Sequence, residues 1–473
     1  MNLSSIFITF AIEHLKGSIS VTQNQEIHQF YIDYVMEQLK DKPEEFCDIT
    51  GNKMYCISSH RGLLGNAKLI SISNNKEYYK GTLFSTGEEV IHIGYETSQK
   101  IHNMLKYLLD TNSFSRHIGG NTYIVSWLVQ DLQKGGAPFS IDVVDEDPFA
   151  PEDDAIDAVK EQPANLLGNP RSHDLISYFT GAKSIGEEAG DSNFCLLILE
   201  KISSGRISIK YFREFPATDI LQRVKSWYAS TKWPRGFSKE ERMQWWYPSI
   251  FTFVNFLYGS EDKGKLACKQ DAVKKQALGR LIPCIIEGKR LPRDMQVKTF
   301  YQLLNRQSYK ECWRQAVTLG CIIFKKYYWD IGKWNREYSS LTDKGVINCM
   351  DKRSFAYGRL LAAYEKLKED VLSDKKEEGT RVTNAERFWT AMIQRPLQTA
   401  ALLETRTKYY RNSLEQKNKG RSVFYAKLFT QLYNEIRAYE VDSMNGKKSA
   451  NEDFILGYYY QQQQFYTPKD IEK

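Results

Sequence analysis

Histidine is missing from the last 300 residues, since all seven lie at or before His173. That stretch therefore has no imidazole base, acid or metal ligand, which excludes a His-dependent nuclease or hydrolase site there. No run of 18 apolar residues occurs, so a spanning helix is excluded. The apolar N-terminus (MNLSSIFITFAIEHLKGS) has no basic region before it and no small-residue cleavage site. It reads as a first strand and not as a secretory leader. The eight cysteines, Cys47, Cys56, Cys195, Cys268, Cys284, Cys312, Cys321 and Cys349, form no C-x-x-C pair. Scattered thiols in a chain this long read as reduced cysteines of a cytoplasmic protein. The sequence contains no G-x-x-x-x-G-K-[ST], no G-x-G-x-x-G after a strand and no G-x-S-x-G. Nucleotide hydrolysis and a nucleophile-elbow hydrolase find no support.

What is abundant is charge, unevenly placed. Residues 1–200 hold 15 Lys/Arg and 28 Asp/Glu, a net of −13, and residues 201–473 hold 50 and 30, a net of +20. The sum is the overall +7. An acidic front joined to a basic back points to a polyanion partner for the second half, or to a basic solvated surface.

Hydrophobic patterning gives an α+β chain: a mixed strand and helix domain, then a mainly helical region ending in a bundle. A helix is expected over IHQFYIDYVMEQLK, where Phe30, Tyr31, Tyr34, Val35 and Leu39 recur at helical spacing. Strands are expected over residues 67–72 and 122–127, with a helix between them over 95–109. Residues 194–212 read as a hairpin around Ser203-Ser204-Gly205. Beyond about residue 220 a period near 3.6 takes over. Phe355, Leu360, Leu361, Tyr364, Leu367 and Val371 form one stripe, and Phe424, Leu428, Leu432 and Ile436 another, with residues 388–403 between. The expected domains are 1–134 (mixed), 135–170 (acidic linker), 171–349 (hairpin, then basic and mainly helical) and 350–473 (bundle).

Two clusters invite a metal. Cys47, Cys56 and His60 lack a finger or ribbon spacing and a fourth ligand, so they read as packing groups. Asp142, Asp145, Glu146, Asp147, Glu152, Asp153, Asp154 and Asp157 lack a regular calcium-loop pattern and read as a solvated loop. A metal-dependent nuclease built on Asp153 and Asp154 is the enzymatic alternative, disfavoured by the absence of a paired lysine and ordered spacing.

Cations interleaved with aromatics remain. Lys232, Arg235, Lys239 and Arg242 lie among Trp227, Tyr228, Trp233, Trp245 and Trp246. Arg306, Lys310, Arg314, Lys325 and Lys326 lie among Trp313, Tyr327, Tyr328 and Trp329. Arg406, Lys408, Arg411, Lys417, Lys419 and Arg421 surround Tyr409 and Tyr410 in a stretch that is polar throughout. Cations neutralise phosphates and exposed rings stack on unpaired bases, so these fifteen cations are the expected nucleic-acid contacts. Most of the tryptophans are expected in the core.

Several ordered patterns carry a resemblance. They are Cys47-x-x-Thr50-Gly51, Ala67-Lys68-Leu69-Ile70-Ser71 with Asn74, Ser98-Gln99-Lys100-x-His102-x-x-Leu105-Lys106, Gly358-Arg359-Leu360 and Gly457-Tyr458-Tyr459-x-Gln461. The chain resembles the large subunit of the type I-C CRISPR surveillance complex, Cascade (the Csd-one or Cas-eight-c family). The resemblance implies a scaffold with no catalytic residue, metal or cofactor, acting in antiviral defence. Its implied partners are CRISPR RNA, the double-stranded target with its displaced strand, the backbone and handle-binding subunits, a small subunit and the helicase-nuclease. In such recognition base pairing reads sequence, while protein reads the flanking motif and the backbone. Family members carry a substantial segment before the Cys-x-x-Thr-Gly region, and here 46 residues precede Cys47. The motif-reading segment is therefore expected to be absent, reduced or supplied by another chain. Internal initiation at Met350, behind codons for Lys344-Gly345-Val346, would yield a small-subunit-like product. The third reading is a scaffold whose basic half meets an acidic protein or its own acidic linker.

Overall fold

The computed structural model describes residues 11–14, 17–21, 24–71, 84, 90–111, 114–119, 121–129, 193–234, 245–336, 350–372, 384–440 and 448–466. It is an α+β chain dividing into two units, Met1–Arg116 with Ile198–Tyr211 and His117–Leu197 with Phe212–Lys473. The acidic segment 142–157 lies outside the described residues, as do Arg235, Lys239 and Arg242.

The first unit is built from short hairpins and two helices. β1 (Ala11–His14) pairs antiparallel with β2 (Gly17–Ser20), and α1 spans Gln25–Leu39. β3 (Glu45–Phe46) pairs with β4 (Lys53–Met54) across a turn in which Gly51 adopts φ +70°. Only glycine enters that region without strain. β5 (Gly62–Leu64) pairs with β6 (Ala67–Lys68), so the expected strand over 67–72 is two residues long where described. α2 (Tyr95–Asp110) buries Leu105 and Leu108 with Leu63, Ala67 and Ile93. Cys47 faces Thr97, Cys56 faces the Glu45 and Met54 carbonyls, and His60 faces Ser98. The imagined metal ligands thus engage three separate sets of partners.

β7 (Ser115–Gly119), β8 (Thr122–Leu128), β9 (Asn193–Lys201) and β10 (Ile207–Pro216) form one sheet in the order β10-β9-β8-β7. The hairpin expected at 194–212 is β9–β10.

From residue 217 helices dominate. α3 is Ala217–Thr231, followed by the short pair β11 (Trp233–Pro234) and β12 (Trp245–Trp246) and by α4 (Ile250–Tyr258). β13 (Ser260–Asp262) and β14 (Lys265–Ala267) form a hairpin whose turn places Lys263 and Gly264 at positive φ. α5 (Asp271–Ile286), α6 (Arg293–Leu304) and α7 (Trp313–Asp330) complete this part. Then come α8 (Lys352–Leu372), α9 (Asn384–Gln394), α10 (Pro396–Lys417), α11 (Lys419–Glu440) and α12 (Asp453–Phe465).

α8 is the hub of the bundle. Its expected stripe Phe355, Leu360, Leu361, Tyr364, Leu367 and Val371 is buried throughout. It runs parallel to α12, as the ascending pairs Asp351–Asp453, Arg359–Gln461 and Lys366–Tyr466 show. At the crossing the two backbones touch: a methyl group on Gly358 would overlap the Phe454 carbonyl oxygen, and one on Gly457 the Phe355 carbonyl oxygen. Residues 388–403 are two helices broken before Pro396, which occupies the first helical position of α10.

The bundle shares its core with the preceding helices. Trp389 is wholly buried, stacks edge-on against Trp313 and donates to the Leu303 carbonyl at 2.6 Å. The Tyr328 hydroxyl of α7 donates to Asp453 at 2.8 Å. A product beginning at Met350 would uncover both contacts.

Asp453 provides a pH-dependent test. Burial lifts its carboxyl to about 6; hydrogen bonds from the Asp351 N–H and Tyr328 pull the other way, and the Glu452 and Asp351 charges push it up. In the unfolded chain an aspartate titrates near 4. Between about pH 4 and pH 6 the unfolded chain loses this proton while the folded chain keeps it. This group's contribution to stability therefore falls across that window and stays low above it. Asp453→Asn is expected to raise stability at pH 8 by about 1–2 kcal/mol, with the gain shrinking towards pH 4. Urea unfolding at both pH values measures this, and an equal effect at the two would contradict it.

Candidate nucleic-acid interface

The three cation-rich blocks fold into different environments. In the first, Trp227, Trp233 and Trp246 are core residues. Lys232 is half-buried with its ammonium 4.8 Å above the Trp245 ring, and burial lowers its pKa.

The second block is mostly interior. α7 carries Ala316, Val317, Leu319, Ile322, Ile323 and Phe324 buried around its circumference. Lys325 is fully buried and its ammonium donates to the carbonyls of Ala229 and Lys232 at 3.3 and 3.0 Å. It satisfies acceptors left over at the C-terminal end of α3. Lys326 is buried in an ion pair with Asp330 at 2.7 Å. These two lysines are corrected from expected phosphate contacts to interior supports, because a phosphate cannot reach them. The Arg306 guanidinium carbon sits 4.5 Å over the Trp313 ring, and Lys310 and Arg314 are exposed.

The third block is the outward face of the α10–α11 helical hairpin. Along α10 the buried positions are Thr399, Ala400, Leu403, Thr407 and Leu414. On another face, steps of four, three and eight residues bring Leu402, Arg406, Tyr409 and Lys417 into line. Tyr409 is 73% exposed, between two cations. Lys408 is exposed on the other flank, and Lys419 and Arg421 are exposed at the turn into α11. Arg421 stays 3.9 Å from Asp370 and is 54% exposed.

Arg411 is the exception. Its guanidinium grips Glu404 with two bonds of 2.9 and 2.6 Å and lies 4.3 Å over the Phe429 ring. Glu404 also accepts from the Tyr364 hydroxyl at 2.5 Å. Arg411 is therefore corrected from a nucleic-acid contact to a brace between α10, α8 and α11.

Internal pairing makes the hairpin surface positive. Residues 396–440 contain eight Lys/Arg and four Asp/Glu. Glu404 pairs with Arg411, Glu435 with Arg359 at 2.7 Å and Glu440 with Arg353 at 2.6 Å. Three of the four carboxylates are thus used on inward arginines. The remaining carboxylate, Glu415, shares the exposed surface with Arg406, Lys408, Lys417, Lys419, Arg421, Lys427 and Arg437. Lys427 and Arg437 stand outside the three cation-rich blocks read from the sequence.

Helix electrostatics argue that some of these cations serve more than folding. Lys417 ends α10, where a cation complements the helix dipole. Lys419 and Arg421 stand in the first turn of α11, which has no acidic residue. Positive charge there opposes the dipole and costs roughly 0.3–1 kcal/mol per residue.

Among the described residues no three His, Cys, Asp or Glu side chains are grouped to hold a metal, and no helix is long and apolar enough to cross a membrane. The family model described as CRISPR-associated protein (Cas_Csd1) matches residues 2–466. The chain belongs to that family. No curated protein matches it.

Proposed function

We propose that this member of the CRISPR-associated Csd1 family is the large subunit of a type I-C Cascade complex in the cytoplasm. It binds target DNA and the displaced strand, supports the guide RNA beside the backbone, handle-binding and small subunits, and docks the helicase-nuclease without itself breaking bonds. The observation that carries the reading is the α10–α11 surface, where three of the four carboxylates are paired with arginines and seven further cations are exposed. Fixed cations release counterions from a phosphate chain, and Tyr409 offers a ring for an unpaired base.

Fluorescence anisotropy with a labelled 30-nucleotide single strand tests it. The isolated chain is expected to bind at about 100 mM salt, and the same strand should remain intact with Mg²⁺. Absence of binding at low salt would leave the protein-scaffold reading, and cleavage lost in Asp153→Ala/Asp154→Ala would establish a nuclease.

A further inference from the structure

We propose that α1 is a docking helix that seats in an apolar groove, rimmed by basic side chains, on a protein partner. The inference rests on the reading of this chain as a subunit of a complex.

α1 is a well-started helix: the Asn24 side chain accepts from the Ile27 N–H at 3.1 Å, and Gln29 bonds Asp33 at 2.8 Å. Yet none of its residues is buried among the described residues. Phe30, Tyr31 and Tyr34 are 73, 68 and 62% exposed, and Ile32 and Met36 are exposed on the far side of the helix. A fifteen-residue helix is marginal in water without tertiary packing. Ile27, Phe30, Tyr31 and Tyr34 follow the i, i+3, i+4, i+7 spacing by which helices enter grooves. Aromatic anchors of this kind bury about 150–250 Å² each and dominate binding energy.

Charge selects the occupant. Residues 24–48 contain seven Asp/Glu and two Lys/Arg, a net of −5. A nucleic acid or an anionic lipid surface is repelled by that field. A second copy would set −5 against −5. A protein groove with a basic rim matches both the apolar seam and the sign of its border.

The test is incorporation of the full chain into the complex formed with co-expressed backbone and handle-binding subunits and guide RNA, followed by native mass spectrometry. Phe30→Ser/Tyr34→Ser is expected to weaken incorporation about 30-fold or more. Glu26→Lys/Asp33→Lys/Glu37→Lys should also weaken it. The isolated serine variant should keep the wild-type melting temperature and single-strand affinity. Equal incorporation of the wild type and the serine variant would overturn the inference alone. A lower melting temperature of the isolated serine variant would assign the face to this chain's own core. A wild-type dimer dissociated by the substitutions would assign it to a second copy. Failure of the wild type to enter any complex would remove the functional reading and this inference together.

Discussion

Gly457→Val and Gly358→Val are each expected to cost more than about 4 kcal/mol and to abolish cooperative folding of the C-terminal helices. The obstacle at each site is backbone: the Phe355 carbonyl for Gly457 and the Phe454 carbonyl for Gly358. Flexible side chains could move aside, whereas these carbonyls are fixed by the helices they belong to. Separating α8 from α12 would also loosen Phe355, Leu361, Phe454 and Ile455 at once. Gly279 is the control, since it lies in α5 with nothing near a Cβ position. Gly279→Ala should gain about 0.5–1 kcal/mol from helix propensity. Urea midpoints of the three variants measure the contrast, and a mild effect at Gly457 would mean that the close approach is wrong.

The second large effect separates binding from stability. Arg406→Glu/Lys408→Glu/Lys417→Glu/Lys419→Glu is expected to weaken single-strand affinity by about 100-fold at 100 mM salt. Lys419→Glu alone should lower affinity while raising stability by about 0.3–1 kcal/mol, because it places an acid in the first turn of α11. Opposite signs in the two measurements cannot arise from misfolding. A variant that loses affinity only as it loses stability would assign Lys419 to the fold.

Much of the architecture was legible in the sequence. α2 follows from local period because it buries one face, whereas β9 and α8, buried on all sides over most of their length, are legible from the density of their apolar residues. α11 was misread in phase. Phe424 and Leu428 were expected inside, but the buried residues are Tyr425, Phe429, Leu432 and Ile436. Four-residue steps drift by about 40° per turn on a 3.6-residue helix, so the seam needs a three-residue step that the Phe and Leu run hides. Lys325 and Lys326 show the limit of cation–aromatic interleaving as a signal. The same pattern describes an exposed binding face and a buried helix whose lysines cap carbonyls. The apolar flank Cys321-Ile322-Ile323-Phe324 was the available cue. Arg411 could not be sorted from its neighbours by spacing, since its role depends on Glu404 seven residues away also receiving Tyr364.

The central claim is that the outward cations of α10 and α11 hold a phosphodiester chain. Its most direct measurement is the slope of log affinity against log salt for the wild type and the four-glutamate variant on one labelled single strand. The account predicts a steep wild-type slope that becomes shallower by about 3 in the variant, near 0.7 for each lost phosphate contact. Parallel slopes would contradict it.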